Sequence, residues 1–327
     1  MLDHSQQYAP YGKFLWNLWL IDRGSEHHMF HLQMERTADP TKRDQVRTTI
    51  GHAVSKNFLD WQELPSALVP EPLGTAWDDY ALGAGSVILK DDIYHLYYTG
   101  KNSRPENANT QKICLATSTD LLRWAKHPAN PILEVDTRYY DASGIIHKGG
   151  KTGAWRDPFV FKDPHSEKYF MILSARSKEL TIEHDACVAL AQSDDMIHWE
   201  VLPPIFSPGK YSEISVPRIV FHKDIYYLFF TTRKKNYEPT FAKQHGAHEG
   251  LRCYYSKELL NGYQPINGNG VVFANDREVY DVRVHYDHSD IFYGIGWLHQ
   301  DTRGSFIGKV ANPIKLKIAN DQVFVVG

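Results

Sequence analysis

The chain has 327 residues, of which 42% are hydrophobic and 13% aromatic, and its formal net charge at pH 7 is -3. Acidic and basic residues are interspersed, so the chain lacks the basic stripe that binding to nucleic acid or to an anionic membrane surface requires. The aromatic content is typical of pleated, half-buried surfaces and argues against disorder. We therefore expect a well-packed globular protein with neither nucleic acid nor membrane as a partner.

The amino-terminal residues 1–13 are polar and are interpreted as an extension that precedes the folded domain. They lack the charged head and apolar run of a secretory signal, and no later stretch is long and apolar enough for a transmembrane helix. Three cysteines each lie a few residues before a repeated serine, which is typical of buried free thiols in a reducing compartment: Cys114, Cys187 and Cys253. Together these features predict cytoplasmic residence.

Five hairpin patterns follow along the chain. Each combines an apolar strand, a short polar turn and a second strand rich in aromatic residues. They span residues 18–34, 86–100, 157–176, 217–232 and 280–297.

A second repeated element alternates with these hairpins: a serine, a polar turn, and an aromatic or glycine residue six positions after the serine. It occurs at Ser55–Trp61, Ser118–Trp124, Ser193–Trp199 and, in degenerate form, Ser256–Gly262. Repeats at this spacing mark units that cannot bury their apolar faces alone and must stack on neighbours. The pattern predicts an all-β fold in which residues 1–327 form one five-bladed β-propeller, with four antiparallel strands per blade and an axial pocket.

Three segments fall outside the regular pattern. Residues 306–327 are strand-like and could complete the last blade or pair with the first blade to close the ring. Two insertions, residues 136–156 and 233–249, are either loops on the binding face or ordinary surface loops.

Three local motifs resemble those of the five-bladed propellers of glycoside hydrolase families 32, 43 and 68. Trp155-Arg156-Asp157-Pro158 resembles the Arg-Asp-Pro motif of families 32 and 68, and FLWNLWL at residues 14–20 resembles the Trp-Asp-x-Trp signature of the levansucrase-like family. Ser215-Val216-Pro217 lies where this clan carries Glu-x-Pro. The resemblance implies a protein that binds a furanoside, such as a fructosyl or arabinosyl unit, and hydrolyses or transfers it without a cofactor. The carboxy-terminal β-sandwich that family 32 enzymes usually carry is not expected in this chain.

Glycoside hydrolysis needs a carboxylate that attacks the anomeric carbon or activates water, and a carboxylic acid that protonates the leaving oxygen. The first strands of all blades converge at one end of the channel, so we expect these groups there. By the resemblance, Asp157 stabilises the transition state, while Arg156 orients Asp157 or binds substrate. The resemblance also places Asn17 at the position of the nucleophile and Ser215 at the position of the acid.

Neither Asn17 nor Ser215 can perform the role of the carboxyl group that it replaces, because an amide is neutral and a hydroxyl is a poor proton donor. Three explanations are open. Asn17 could be an engineered replacement of aspartate, or Glu213 could supply the acid, since it lies on the same strand face as Ser215. Alternatively, the protein is a sugar-binding module or a biosynthetic enzyme that uses the scaffold without hydrolysis.

Further substrate-binding candidates lie on the first strands and close to them. Trp16 and Trp19 could stack on a sugar ring or fill space between blades. Asp281 and Arg283 alternate along one strand, which suits a polar channel and argues against a scaffold that binds only other proteins. The remaining candidates are Gln33, Asp79 and Ser86.

No metal site is predicted. Asp22 is interpreted as a turn residue of the first hairpin. Pairs such as His27-His28 lack the helical spacing of metal ligands, so the default role of the 17 histidines is structural or solvated.

Overall fold

A computed structural model of the chain describes residues 7–107, 110–142, 154–180, 183–274, 279–286, 291–319 and 322–326. Within these ranges nearly all regular secondary structure is strand, with one α-helix, α1, at Pro239–His245. Short 3-10 helices lie at Pro40–Gln45, Pro105–Asn107, Lys234–Asn236 and Ile266–Gly268. No helix in the described part of the chain is long and apolar enough to span a membrane.

The strands form five antiparallel sheets, one for each predicted blade, and follow the chain from one strand to the next within each sheet. Blade 1 contains β1 (Lys13–Arg23), β2 (Glu26–Glu35), β3 (Thr49–Ser55) and β4 (Gln62–Leu68). Blade 2 contains β5 (Ala81–Lys90), β6 (Ile93–Lys101), β7 (Gln111–Ser118) and β8 (Ala125–Lys126). Blade 3 contains β9 (Trp155–Lys162), β10 (Tyr169–Arg176), β11 (Ala186–Ser193) and β12 (Glu200–Phe206).

The last two blades each carry one additional short strand. Blade 4 contains β13 (Ser215–His222), β14 (Ile225–Thr232), β15 (Gly250–Ser256) and β16 (Gln264–Pro265), with β17 (Val271–Ala274) also paired to β15. Blade 5 contains β18 (Val279–Tyr286), β19 (Phe292–Gln300), β21 (Ile314–Ala319) and β22 (Gln322–Val325), with β20 (Phe306–Val310) paired to β19. The predicted five-bladed β-propeller is confirmed.

The repeated serine ends the third strand in each of the first four blades, as predicted. Ser118 Oγ accepts the backbone N–H of Asp120 at 3.2 Å and of Leu121 at 2.9 Å. Trp124 Nε1 donates to the carbonyl of Leu121 at 3.0 Å, which fixes the indole against the turn. The serine therefore supplies the hydrogen bonds that turn the chain from the third strand into the outer strand.

The first strands contact one another in ring order, β1, β5, β9, β13 and β18, and β18 returns to β1. Strands β21 and β22 complete blade 5, which decides between the two placements predicted for residues 306–327. The amino-terminal segment also helps to close the ring, because Val310 N donates to Tyr8 O at 2.9 Å. Closure leaves no long open sheet edge in the ring.

Hydrophobic residues fill the space between neighbouring blades and form most of the core. The three cysteines lie within this core and are free, as predicted. Of the two insertions, residues 143–153 of the first lie outside the described residues. The second insertion contains α1.

Each first strand carries a β-bulge at the same position relative to its partner strand. In each bulge two residues face a single residue of the second strand: Asn17-Leu18, Gly83-Ala84, Asp157-Pro158, Val216-Pro217 and Asp281-Val282. A bulge bends the strand and changes the direction of its side chains. It also breaks the period-two alternation of side chains along the strand. Strands β1 and β5 begin five residues before the predicted hairpins.

Candidate functional site

A cavity of about 770 Å³ lies at the end of the ring where the five bulges meet, and we call it the axial cavity. Its volume is in the range of sites that hold a small ligand. The first residue of every bulge lines it: Asn17, Gly83, Asp157, Val216 and Asp281. The fold therefore brings one equivalent position from each blade to a shared site.

Asp157 is fixed on the wall of the axial cavity by groups from three blades. Its carboxylate accepts hydrogen bonds from Ser174 Oγ at 3.0 Å and from the backbone N–H of Val216 at 3.2 Å. Its own N–H donates to Thr99 Oγ1 at 3.1 Å. The backbone φ of Asp157 is +58°, a value that non-glycine residues rarely adopt and that clusters at functional sites.

Arg156 and Glu213 form a charged pair on the same wall. Arg156 Nη2 donates to Glu213 Oε1, and Arg176 Nη2 donates to Glu213 Oε2 at 3.3 Å. Arg176 also binds Asp185, with 2.6 Å between Nη1 and Oδ1. Both carboxylate oxygens of Glu213 thus accept hydrogen bonds from guanidinium groups, and these contacts suit Glu213 to positioning Arg156.

The two neutral positions, Asn17 and Ser215, line the axial cavity together with Trp16. Ser215 makes a side-chain hydrogen bond with Tyr280, which also hydrogen-bonds with Arg233. The guanidinium carbon of Arg233 lies 4.5 Å from the centre of the Tyr280 ring. Burial raises the pKa of Tyr280, which keeps its hydroxyl protonated at neutral pH.

Asp281 is a second carboxyl group in the axial cavity. Only 1% of the residue is exposed, and Oδ1 has no hydrogen-bond partner among the described residues. Burial raises the pKa of Asp281 to about 7; the negative charge of Asp157 also raises it, while Arg283 acts in the opposite direction. Asp281 is therefore more easily protonated than an exposed aspartate.

Two of the candidates from the first hairpin lie away from the axial cavity. Trp19 is fully buried in the core and stacks on Phe30, with 6.3 Å between ring centres. Gln33 donates to Thr49 Oγ1 at 3.2 Å and to Ser66 Oγ at 2.9 Å. Trp19 therefore packs the core and Gln33 joins strands of blade 1; neither residue lines the cavity.

The other three candidates outside the lining are also buried. Asp79 accepts the N–H groups of Gly74 at 2.6 Å and Ser103 at 2.7 Å, so it anchors a loop that reaches the cavity. Ser86 Oγ accepts the N–H of Val160 at 3.1 Å and joins blade 2 to blade 3. Arg283 lies two residues beyond Asp281, and burial lowers its pKa.

Several residues that line the axial cavity were not predicted from the sequence. Tyr280 and Trp297 come from blade 5, and Arg233, Lys235 and Asn236 belong to the second insertion. The insertion itself was the available signal, since insertions in repeat folds often lie on the binding face. Nothing in the residue pattern distinguished Tyr280 or Trp297 from the other aromatic residues of the strands.

Asp22, His27 and His285 form the one group of possible metal ligands in the described part of the chain, at the other ends of β1 and β18. Asp22 Oδ1 lies 2.7 Å from His27 Nδ1, and Asp22 Oδ2 lies 2.9 Å from His285 Nε2. Each carboxylate oxygen thus has one imidazole partner. The contacts join blade 1 to blade 5. The interpretation of Asp22 as a turn residue is wrong, because Asp22 lies within β1 and pairs with His27 of β2.

Comparison with known proteins gives two overlapping family matches. The model for the glycosyl hydrolases family 32 N-terminal domain matches residues 19–207, and the levansucrase/invertase model matches residues 179–326.

Curated relatives match only part of the chain. A sucrose:sucrose 1-fructosyltransferase of Festuca arundinacea is 32% identical over 46% of this chain and 21% of its own length. A sucrose-6-phosphate hydrolase of Bacillus subtilis (strain 168) is 27% identical over 61% of this chain and 34% of its own length. The chain thus spans about a fifth to a third of these two relatives.

The fold matches over nearly the whole chain. An inulosucrase from Halalkalicoccus jeotgali, solved with kestose bound, superposes with a TM-score of 0.81 at 20% identity, covering 98% of this chain and 90% of that one. At this identity the likeness concerns the fold alone. The family 32 model, however, covers more than half of the sequence. This chain therefore belongs to the glycosyl hydrolases family 32 N-terminal domain family.

Proposed function

We propose that this protein binds a fructofuranosyl unit of a small carbohydrate in the axial cavity. The observation that supports this proposal most strongly is the position of Asp157. Groups from three blades hold this residue on the cavity wall, with a positive φ, beside the Arg156–Glu213 pair. Support also comes from the names of relatives that act on sucrose or transfer fructosyl groups.

The groups on the cavity wall suit a polyhydroxylated ring. A fixed carboxylate such as Asp157 accepts hydrogen bonds from sugar hydroxyls, and the guanidinium of Arg156 donates to them. Trp16 and Trp297 line the same cavity and offer apolar faces to the sugar ring. Because the wall is built before the ligand arrives, little ordering cost opposes binding.

The first candidate function is binding of the fructosyl unit followed by its hydrolysis or transfer. The second candidate function is sugar binding without turnover. It is favoured by the two neutral residues, Asn17 and Ser215, at the positions that the resemblance assigns to nucleophile and acid. The contacts of Glu213 with two arginines also leave it poorly suited to replace the acid.

Titration calorimetry with sucrose, kestose and fructose tests the proposed binding, with maltose as a sugar that lacks a furanosyl unit. We expect measurable affinity for the fructosyl sugars and none for maltose. Asp157→Asn should weaken binding by about tenfold or more, because a hydrogen bond to a charged group contributes about 1.5–3 kcal/mol.

Asp163→Asn is the matched control, since Asp163 is a buried carboxylate just beyond the far end of the same strand, bound by Ser166 and Tyr226. It should retain the affinity of the unaltered protein. Equal affinity in Asp157→Asn and the unaltered protein, or equal binding of maltose, would show that the proposed site is wrong.

The variant Asn17→Asp,Ser215→Glu separates the two candidate functions. Appearance of sucrose hydrolysis only in this double variant would identify the unaltered protein as a binding protein with a silenced catalytic site. Hydrolysis by the unaltered protein at a comparable rate would exclude the second candidate.

A further inference from the structure

The ring of five bulges gives a means of comparing residues across blades that share no sequence motif. Each bulge lies at the same register with its second strand, and the first residue of each lines the axial cavity. In four blades this residue has positive φ: Asn17 at +47°, Asp157 at +58°, Val216 at +48° and Asp281 at +57°. The backbone therefore presents these four side chains in equivalent ways.

Two of the five equivalent positions carry carboxyl groups, Asp157 in blade 3 and Asp281 in blade 5. Blade 1 presents the amide of Asn17, blade 2 presents Gly83, and blade 4 presents the apolar Val216. The ring therefore offers a pair of carboxyl groups on one cavity, although the residues that the family resemblance assigns to nucleophile and acid are neutral. Paired carboxyl groups with different environments are the arrangement that acid and base catalysis require.

The surroundings of the two carboxyl groups differ in a way that separates their roles. Asp157 accepts two hydrogen bonds, from Ser174 and Val216, and these donors fix the orientation of its carboxylate. Asp281 Oδ1 accepts no hydrogen bond from any described residue, and the side chain is almost fully buried. An unpartnered buried carboxyl oxygen favours the protonated form, because a buried charge without hydrogen bonds is costly.

The charged groups that face Asp281 come from three elements. Arg283 lies on the same strand, Arg156 and Asp157 lie on β9, and Arg233 follows β14. The three guanidinium groups lower the pKa of Asp281, and Asp157 raises it. Burial has the largest effect, and the resulting pKa of about 7 permits both protonation states at physiological pH.

We propose that Asp281 is the proton donor of the axial cavity and acts with Asp157 on the glycosidic bond of a bound fructosyl sugar. The proposal rests on the function proposed above, since it requires that a fructosyl sugar occupies this cavity. It assigns the role of proton donor to a residue of blade 5, whereas the motif resemblance places the acid in blade 4.

The proposed hydrolytic step balances without a cofactor. Asp281 transfers its proton to the glycosidic oxygen while the bond between that oxygen and the anomeric carbon breaks, and the bonding electrons remain on the leaving oxygen. A water molecule forms the new bond to the anomeric carbon and gives its proton to the Asp157 carboxylate. Proton exchange with solvent then returns Asp157 to its charged form and Asp281 to its protonated form.

A comparison of two substrates tests this role in Asp281→Asn, which keeps the shape of the side chain but cannot supply the proton. Sucrose has a leaving oxygen that must be protonated, whereas the phenolate released from a nitrophenyl fructofuranoside leaves without protonation. We expect kcat/KM for sucrose to fall by about 10²- to 10⁴-fold, and kcat/KM for the nitrophenyl substrate to fall by less than tenfold. The high-pH limb of the sucrose profile, expected near pH 7 in the unaltered protein, should also disappear.

A second variant keeps the role of Asp281 testable if Asp281→Asn does not fold. Asp281→Gly suits the positive φ at this position, and formate buffer at about pH 5, which supplies some formic acid as a small proton donor, should restore part of the sucrose activity of that variant. Asp163→Asn again serves as the control and should hydrolyse both substrates like the unaltered protein.

The outcomes separate this proposal from the function on which it rests. If fructosyl sugars bind in calorimetry but the unaltered protein does not cleave sucrose, the function stands and the role of Asp281 is wrong. Equal losses of activity on both substrates would also overturn the role, because they would indicate a structural effect. If no fructosyl sugar binds, both proposals fail.

Discussion

Strand β18 carries ionisable residues at both of its ends, and the two ends behave differently. At the cavity end, Asp281 is nearly fully buried, one of its oxygens has no described hydrogen-bond partner, and burial raises its pKa. At the other end, His285 donates to Asp22, whose second oxygen binds His27. Burial opposes the charge of Asp22, but the two histidine contacts outweigh it and hold the pKa of Asp22 well below its usual range.

The difference shows what each end contributes. The Asp22–His27–His285 group is satisfied and joins the last blade to the first, so its value is structural. Asp281 lowers the stability of the folded state when it is charged, and it lies on the wall of the axial cavity. Groups with strongly perturbed pKa values and unmet hydrogen-bonding capacity are typical of functional sites.

The largest expected effect on stability comes from Asp281→Asn. The pKa of Asp281 is raised in the folded state, from 3.8 to about 7, so its favourable contribution is complete below pH 4 and is lost as the pH rises through 7. At pH 8 the variant should therefore be more stable than the unaltered protein by about 2–4 kcal/mol, and at pH 4 the two should be similar. Urea unfolding at pH 4, 6 and 8 measures the difference, and a variant less stable at pH 8 would mean that charged Asp281 is well paired.

A smaller effect of opposite sign is expected for Asp22→Asn. The pKa of Asp22 is lowered in the folded state, so its contribution is present above the ordinary value of 3.8 and is lost as the pH falls further. The variant should lose about 1 kcal/mol at pH 7, a modest figure because a third of the side chain is exposed. Urea unfolding should show this gap narrowing below pH 4, and a gap that does not depend on pH would argue for a packing effect instead.

The smallest effect is expected for His198→Ala, which removes an exposed pair of the same chemistry as the Asp22 group. His198 Nδ1 lies 2.7 Å from Asp195 Oδ2, but 86% of the His198 side chain is exposed. Solvent screens such a pair, so the free energy of unfolding should change by less than about 0.5 kcal/mol. A loss as large as that of Asp22→Asn would remove the distinction between buried and exposed pairs on which the comparison depends.

Most of the fold could be predicted from local pattern. The repeated serine ends the third strand in four blades because its hydroxyl satisfies turn N–H groups, a function that needs only nearby residues. The number of blades and the order of their strands follow from the positions of these serine turns along the chain. The bulges could not be predicted, because a bulge is defined by register with a partner strand and leaves little local signature.

The candidate site could be predicted in part. Trp16, Asn17, Arg156, Asp157 and Asp281 line the axial cavity with Glu213 and Ser215, and all of them lie at or close to the beginning of a first strand. Trp19, Ser86 and Arg283 do not line it, because they lie beyond the bulges of their first strands. Gln33 lies on a second strand and Asp79 in the loop before β5, and neither lines the cavity. Tyr280 and Arg233 were missed, since the hydrogen bonds of Tyr280 with Ser215 and with Arg233 join segments far apart in sequence.

The sequence by itself determined a repeating all-β architecture and the presence of neutral residues, Asn17 and Ser215, where the resembling families carry carboxyl groups. Only the tertiary structure decided which partners each carboxyl group of the cavity has. It paired Glu213 with two arginines and left Asp281 with one carboxylate oxygen that no described residue hydrogen-bonds. The reason is physical: repeats record local hydrogen bonding and burial, whereas the protonation state of a carboxyl group depends on neighbours that only ring closure brings together.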